Sequence, residues 1–338
     1  MKTLAFYLPQ FHPFIENDEF WGKGFTEWRN VARATPQYEG HLQPNIPSEL
    51  GFYDLRLPNI LEEQFSLANE YGIDGFIPYL YWFCNGKVLM NEAIKKFSQG
   101  NTPYALCWAN ESWTRRWDGD DSKGECLIKQ LYSNPYDLAE YLQKEHFNNC
   151  HYIKDDNDRP LFIIYRPHES QESIEFVHRL KTYLGSRVLL LGCGSFEHYN
   201  YQDMGLEGVI QFPPHRTWNN PNINTSLITK NNFVGRIKDY STLYEHCIAD
   251  QTCQFKTVCP AWDNTPRLMS DAVIYHQDNS AINIFENWVR EAKKQTLDNK
   301  KEFMFINAWN EWAEGAFLEP DMVRGRSRLE ALYRGLGD

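Results

Sequence analysis

Apolar residues along this chain fall into short continuous runs, separated by stretches with helical spacing. The runs are Thr3–Pro9, Ile73–Phe83, Pro103–Asn110, Pro160–Arg166, Arg187–Gly192, Gly208–Phe212, Lys256–Trp262 and Glu302–Trp309. Each is rich in Ile, Val, Leu, Phe, Tyr or Cys, as expected of parallel strands buried on both faces. Between them, Asn59–Tyr71 places Ile60, Leu61, Phe65, Leu67 and Ala68 on one side, and Gly72 follows as a stop signal. Pro135–Phe147, Gln171–Leu184, Ser241–Ala249, Ala281–Lys294 and Arg328–Arg334 repeat that pattern, whereas Glu197–Met204 is short and weak. Strands alternating with helices in this way predict an α/β fold, the (β/α)8 TIM barrel. An open doubly wound sheet is the alternative, but no G-x-G-x-x-G turn follows the first strand and no P-loop occurs. With no repeat and no low-complexity linker, residues 1–338 read as one barrel domain. Its residues 10–54 form a long loop insert after the first strand, with Trp21, Trp28 and four prolines, covering one barrel mouth.

In a barrel, chemistry belongs to the C-terminal strand ends and the loops that follow. The first strand ends at Tyr7 and Gln10, with His12 close behind. The second ends at Tyr81 and Trp82, and the third at Trp108, Asn110, Glu111 and Trp113, followed by Arg115, Arg116 and Trp117. Arg166 and His168 end the fourth, and His215, Arg216 and Trp218 follow the sixth. The seventh ends at Trp262 and Asp263, and the eighth at Trp309, Asn310, Glu311, Trp312 and Glu314. Tryptophan beside Asn, Asp or Glu recurs at the third, seventh and eighth. Indole rings stack on the C–H faces of sugars, while amides and carboxylates take the hydroxyls, so the rim has the character of a carbohydrate cleft. Tyr7, Gln10, His12, Trp28, Tyr81, Trp82, Trp108, Asn110, Glu111, Trp113, Arg166, Trp262, Asp263, Trp309, Asn310 and Trp312 are the candidate substrate-binding residues. The plainer alternative is that the tryptophans only fill the barrel mouth.

Composition sharpens this picture. Aromatic residues make up 15 % of the chain, with 11 Trp, 19 Tyr and 21 Phe. A net charge of −11 excludes nucleic acid and anionic membrane surfaces as expected partners. The ten histidines show no metal-ligand spacing, so no metal and no cofactor is expected. Asp118–Gly119–Asp120 has the D-x-D form of a metal–nucleotide site, a weak signal in a polar loop. Arg115 and Arg116 either meet an acidic substrate group or pair with those aspartates. The eight cysteines contain no C-x-x-C pair and read as reduced thiols. No run approaches the ~18 apolar residues of a membrane span, and the N-terminal run lacks signal-peptide character, so a soluble cytoplasmic location is expected.

Glu311 and Glu314 stand three positions apart after a buried strand, separated by Trp312 and Ala313. If Asn310–Gly315 forms a helical turn, the two side chains point the same way with Cβ atoms ~5–6 Å apart. That range suits two carboxyls acting on one glycosidic bond with retention, and an apolar setting raises one pKa to give an acid beside a base. E-x-x-E is also a common surface pair, and that reading stays open at this point.

The segments FYLPQFHPFIENDEFWGKGFTEW, LGFYDLR, YGIDGF, CWANESWTRRWDG, WDNTPR and INAWNEWAEGAFLEPD resemble the WbsX-type family of bacterial surface-polysaccharide proteins. That family is similar to the endo-α-mannosidases and endo-α-mannanases of glycoside hydrolase family ninety-nine, which are (β/α)8 barrels. Their motif is similar to E-W-H-E-G-T; Ala313 and Ala316 replace its His and Thr here. The resemblance implies that Glu314 is the general acid and then the base, and that Glu311 deprotonates the sugar's 2-hydroxyl to give a 1,2-anhydro intermediate. It implies that Tyr7 lines the site and that Glu319 positions the loop. The expected activity is a retaining, endo-acting glycoside hydrolase on an α-mannoside-like surface polysaccharide. The alternatives are a glycosyltransferase or transglycosylase of O-antigen or capsule assembly, and a carbohydrate-binding protein without catalysis.

Overall fold

A computed structural model describes residues 1–84, 86–114, 125–217, 219–222 and 227–337. Among these, eight strands line one another in parallel: β1 (Lys2–Tyr7), β2 (Gly75–Trp82), β3 (Leu106–Trp108), β4 (Leu161–Ile164), β5 (Leu189–Cys193), β6 (Val209–Ile210), β7 (Thr257–Val258) and β8 (Phe303–Ile306). The order β7-β8-β1-β2-β3-β4-β5-β6 is continuous, and a parallel bridge from Ile210 to Phe255, just before β7, brings the two ends together. Register is regular, with Leu4 opposite Gly75 and Lys2 opposite Phe303. All but Lys2 and the half-buried Tyr81 of these strand residues are buried, which explains why they read as unbroken apolar runs. The fold is the (β/α)8 barrel, with each predicted run supplying one strand.

A helical segment follows every strand. After β1 and β2 come Ile60–Glu70 and Asn91–Gln99; after β3 and β4, Pro135–Leu142 and Gln171–Leu184. Tyr201–Met204, Tyr240–Ala249, Ala281–Asp298 and Ser327–Gly337 follow β5 to β8. Their starts obey local chemistry: the Ser170 hydroxyl accepts from the Ser173 amide at 3.1 Å, and Asn134 caps Pro135–Leu142 with proline in its first turn. The helix Asn91–Gln99 was not expected from the sequence; its buried face is only Ala93, Ile94 and Phe97. The expected run Lys256–Trp262 divides. Its first part is β7, whereas Trp262–Asp263, beyond Pro260, pairs antiparallel with Val273–His276, which pairs parallel with Arg236–Asp239. A proline lacks the donor that would carry the ladder on.

The insert after β1 holds two short helices, Ile15–Trp21 and Glu27–Arg33, and returns where the Leu55 amide donates to the Phe11 carbonyl at 3.1 Å. Trp28 fastens it, with ring centroids 4.4 Å from Phe11, 5.1 Å from Tyr53 and 5.6 Å from Trp312. A buried aromatic of this size contributes roughly 1.5–3 kcal/mol or more. The insert is thereby packed onto the turn that follows β8. None of the helices among the described residues is long and apolar enough to cross a membrane.

Candidate active site

A cavity of about 490 Å3 opens at the C-terminal ends of the strands. All eight strand ends or their loops reach its wall, through Leu8, Tyr79, Glu111, Tyr165, Phe196, Phe212, Trp262 and Glu311 in chain order. The volume suits a small ligand or a few sugar units, and the wall mixes aromatic rings with acids.

The two glutamates reach it from the segment after β8. Asn310–Glu311 pairs antiparallel with Ala316–Phe317, and Trp312–Glu314 closes the hairpin as a 3-10 turn. The expected helical turn is thus a tighter one, in which side chains three apart eclipse and still share a side. Gly315 completes it at φ 68°, and a Cβ there would lie 2.8 Å from the Asp263 amide, so conformation and space both call for glycine.

Both carboxyls converge on one guanidinium. Arg267 Nη2 donates to Glu311 Oε2 at 3.1 Å, and Nη1 pairs with Glu314 Oε1. Glu27, from the insert, approaches Nη2 at 3.5 Å. Burial pushes the Arg267 pKa down, but Glu27, Glu314 and Glu311 more than reverse this, so it remains a cation. Burial pushes the Glu311 carboxyl well above the usual range, with Glu314 adding to the push and Arg267 opposing it. Glu314 is also raised by burial, against the pull of Arg267. The two titrate as a pair. Both members are pushed the same way, so the geometry supports a pair that retains a proton; the family resemblance gives the acid role to Glu314. His215, on the same wall, is kept neutral because burial pushes its pKa down to about 3.

Of the other candidates, Tyr81, Glu111, Trp113 and Trp262 line the cavity. Tyr81 and Trp113 meet edge to face at 5.0 Å. Arg166 sits behind the wall, pairing with Glu111 at 2.7 Å and capping the Phe196 ring. The rest are not on the wall. Asn110 accepts from the Arg166 amide and donates to its carbonyl, both at 2.8 Å. Asn310 does the same to Leu8, at 2.7 and 3.1 Å. Each amide acts as one more peptide, extending the parallel ladder past its strand end. Asp263 accepts from His41 at 2.8 Å, from Gln43 at 2.5 Å and from the Thr265 amide at 3.0 Å. It thus pins the insert and starts the turn that carries Arg267. Tyr7 donates to Gln64 at 2.8 Å, Trp28 to the Tyr53 carbonyl and Trp108 to the Trp82 carbonyl. Trp82, Trp309, Gln10 and His12 are buried, Trp309 against Phe76. Trp312 stacks on Phe317 at 3.9 Å and donates to Glu319 at 2.5 Å. Arg115, Arg116, Trp117, Asp118, Asp120 and Trp218 lie outside the described residues.

Sequence reasoning did not single out Arg267, Glu27 or the rim residue Arg236. Arg267 lies within the quoted WDNTPR stretch, which was its only signal. Among the described residues, no group of three or more His, Cys, Asp and Glu could hold a metal.

Comparison with known proteins adds a second line of information. The family described as Glycosyltransferase WbsX matches residues 3–332. The WxcX proteins of two strains of Xanthomonas campestris pv. campestris are each 38 % identical to this chain over 348 residues. That match covers 98 % of this chain and 49 % of theirs, so the chain spans about half the length of these curated relatives. The GH99 endo-α-mannosidase of Bacteroides thetaiotaomicron, in complex with bis-tris-propane, matches with a TM-score of 0.57 at 14 % identity, covering 98 % of this chain and 96 % of that one. A glycoside hydrolase-like protein matches at 0.57 and 12 %, covering 99 % and 93 %. At such identities the similarity to these structures is one of fold.

Proposed function

The chain belongs to the WbsX glycosyltransferase family, and we propose that its barrel works as a retaining, endo-acting glycoside hydrolase on an α-mannoside-like unit of a surface polysaccharide. The observation that carries this reading is the convergence of Glu311 and Glu314 on Arg267 inside an aromatic cavity of saccharide size. In this reading Glu314 gives its proton to the leaving oxygen as the glycosidic bond breaks. Glu311 takes the proton of the sugar's own 2-hydroxyl, whose oxygen closes on the anomeric carbon as a 1,2-anhydro ring. Water then opens that ring at the anomeric carbon: Glu314 accepts the water's proton, Glu311 returns one to the 2-oxygen, and the configuration is retained overall. Arg267 holds both carboxyls in place, as preorganised charge does in a dry site. Trp113 and Trp262 offer faces for the sugar's C–H surfaces, and neutral His215 lines the same wall.

The family's name favours a second reading, transfer from an activated donor. Against it, four carboxylates (Glu111, Asp271, Glu311, Glu314) and two guanidiniums (Arg236, Arg267) line the cavity among the described residues. Arg267 is already engaged by Glu311 and Glu314, so it offers little positive charge to the diphosphate of a sugar nucleotide. Incubation with defined oligosaccharides, mannans and O-antigens, with the product anomer followed by NMR, separates the two. Donor-independent cleavage with retention is expected. Turnover only when a sugar nucleotide is supplied would overturn the hydrolase reading.

A further inference from the structure

Glu27 is the first residue of its helix in the insert and is fully buried. Its amide donates to the Gln10 carbonyl at 3.2 Å, and its Oε1 accepts from Asn30 at 3.3 Å. Its Oε2 lies 3.5 Å from Arg267 Nη2, the nitrogen that also serves Glu311 at 3.1 Å. Three carboxylates therefore meet one guanidinium, and two of them share one of its nitrogens. Fully ionised, this group of four would carry a net charge of −2 where water is largely excluded. Such a site relieves itself by holding protons.

The surroundings supply no second cation to this cluster in the described contacts. Tyr79 and Tyr81 face the acid pair from β2 and Tyr165 faces it from just beyond β4, all with pKa values raised by burial. Glu111 and Asp271 add acid to the cavity wall, and Arg236 lies there too. Arg166 is paired with Glu111, and Asp263 with His41 and Gln43. On the helix of Glu27 itself, Arg29 donates to the Trp21 carbonyl and Arg33 to the Pro266 carbonyl. Glu319 lies behind Trp312, bonded to neutral donors.

We propose that Glu27 is a positioning residue for the acid pair: by sharing Arg267 Nη2 with Glu311, it withholds part of the guanidinium from the pair, which therefore keeps a proton near neutral pH. The insert thus tunes the strand-eight carboxyls electrostatically as well as covering them. Glu27 adds to the upward push on both carboxyls and is the foremost of the acids that hold Arg267 charged. The consequence for turnover rests on the hydrolase reading above; the electrostatic claim does not.

The test is a pH titration of the full chain labelled with [5-13C]glutamate, followed by NMR. Glu311→Gln and Glu314→Gln assign the pair. In folded Glu27→Gln, the pair's apparent midpoint should fall by roughly 1 pH unit, a tenfold loss of proton affinity. An unmoved midpoint overturns the proposal. If Glu27→Gln does not fold by circular dichroism, Glu27→Asp draws the charge back by one methylene and should shift the midpoint the same way by less; no shift there also overturns it. A shifted midpoint in a chain that cleaves no glycan leaves this inference standing and removes the hydrolase reading. An unmoved midpoint in a chain that cleaves glycan does the reverse.

Discussion

The segment Glu311–Glu319 carries buried acids on two sides of one turn, and they are held in opposite ways. In front, Glu311 and Glu314 meet a cation, but with Glu27 they outnumber it, and they open on the cavity. Behind, Glu319 meets no cation among the described residues: Gln64 donates to it at 2.7 Å, Tyr53 at 3.0 Å and the Trp312 indole at 2.5 Å. Burial pushes its pKa up to about 7 despite those bonds. The back of the turn is a satisfied network that fixes position; the front is an under-neutralised one with protons to exchange. Trp312 joins them, because its ring lies between the two glutamates in sequence and its N–H is anchored behind. One turn thereby combines a fixed back with a front that opens on the cavity.

The largest effect should come from the front. Arg267→Met leaves three buried carboxylates without a counter-charge and should cost about 3–5 kcal/mol of stability at pH 7, read by chemical unfolding. The Glu311 and Glu314 pKa values are raised in the folded state, so stability is present at low pH and lost as pH rises through them. The deficit of the variant should therefore shrink toward pH 4. An equal deficit at both pH values would make the front a packing feature and break the contrast.

The back should respond more weakly and with its own pH signature. Glu319 ionises near 4.5 when unfolded and near 7 when folded, so its contribution is fully present below pH 4.5 and is lost as pH rises to about 7. Glu319→Gln does not titrate. Its stability relative to wild type should rise across that window by on the order of 2–3 kcal/mol, whatever constant loss the amide brings through its clash with the Gln64 donor. Thermal melts at pH 4.5 and 7.5 test this, and a difference that does not change with pH contradicts it. Smallest of all, Asn310→Ala removes the bridge between the β8 and β1 ends and should cost about 1–3 kcal/mol, with little pH dependence.

The barrel was legible because strands buried on both faces need nearly unbroken apolar runs. The helix Asn91–Gln99 was not, since three buried side chains among polar ones make too faint a period. That Glu311 and Glu314 would share one side of a turn was legible from their spacing, and the structure places both on the cavity wall. Arg267 was not: a lone arginine after Pro266 in a polar stretch carries no period, and its place depends on Asp263 turning the chain back under Gly315. Glu27 lies in a stretch that reads in sequence as a loop insert, and only the packing of that insert buries it. Asn110 and Asn310 show the converse limit. An amide that bonds a sugar and an amide that bonds a neighbouring strand are the same letter, and only the geometry separates them.

The central claim is that the strand-eight carboxyl pair is the reacting centre. The most direct measurement is the turnover of Glu311→Gln and Glu314→Gln on a glycan that the wild-type chain cleaves, with folding checked by circular dichroism. The account predicts that each folded variant loses on the order of 100-fold or more in turnover. Near-wild-type turnover in both would contradict it.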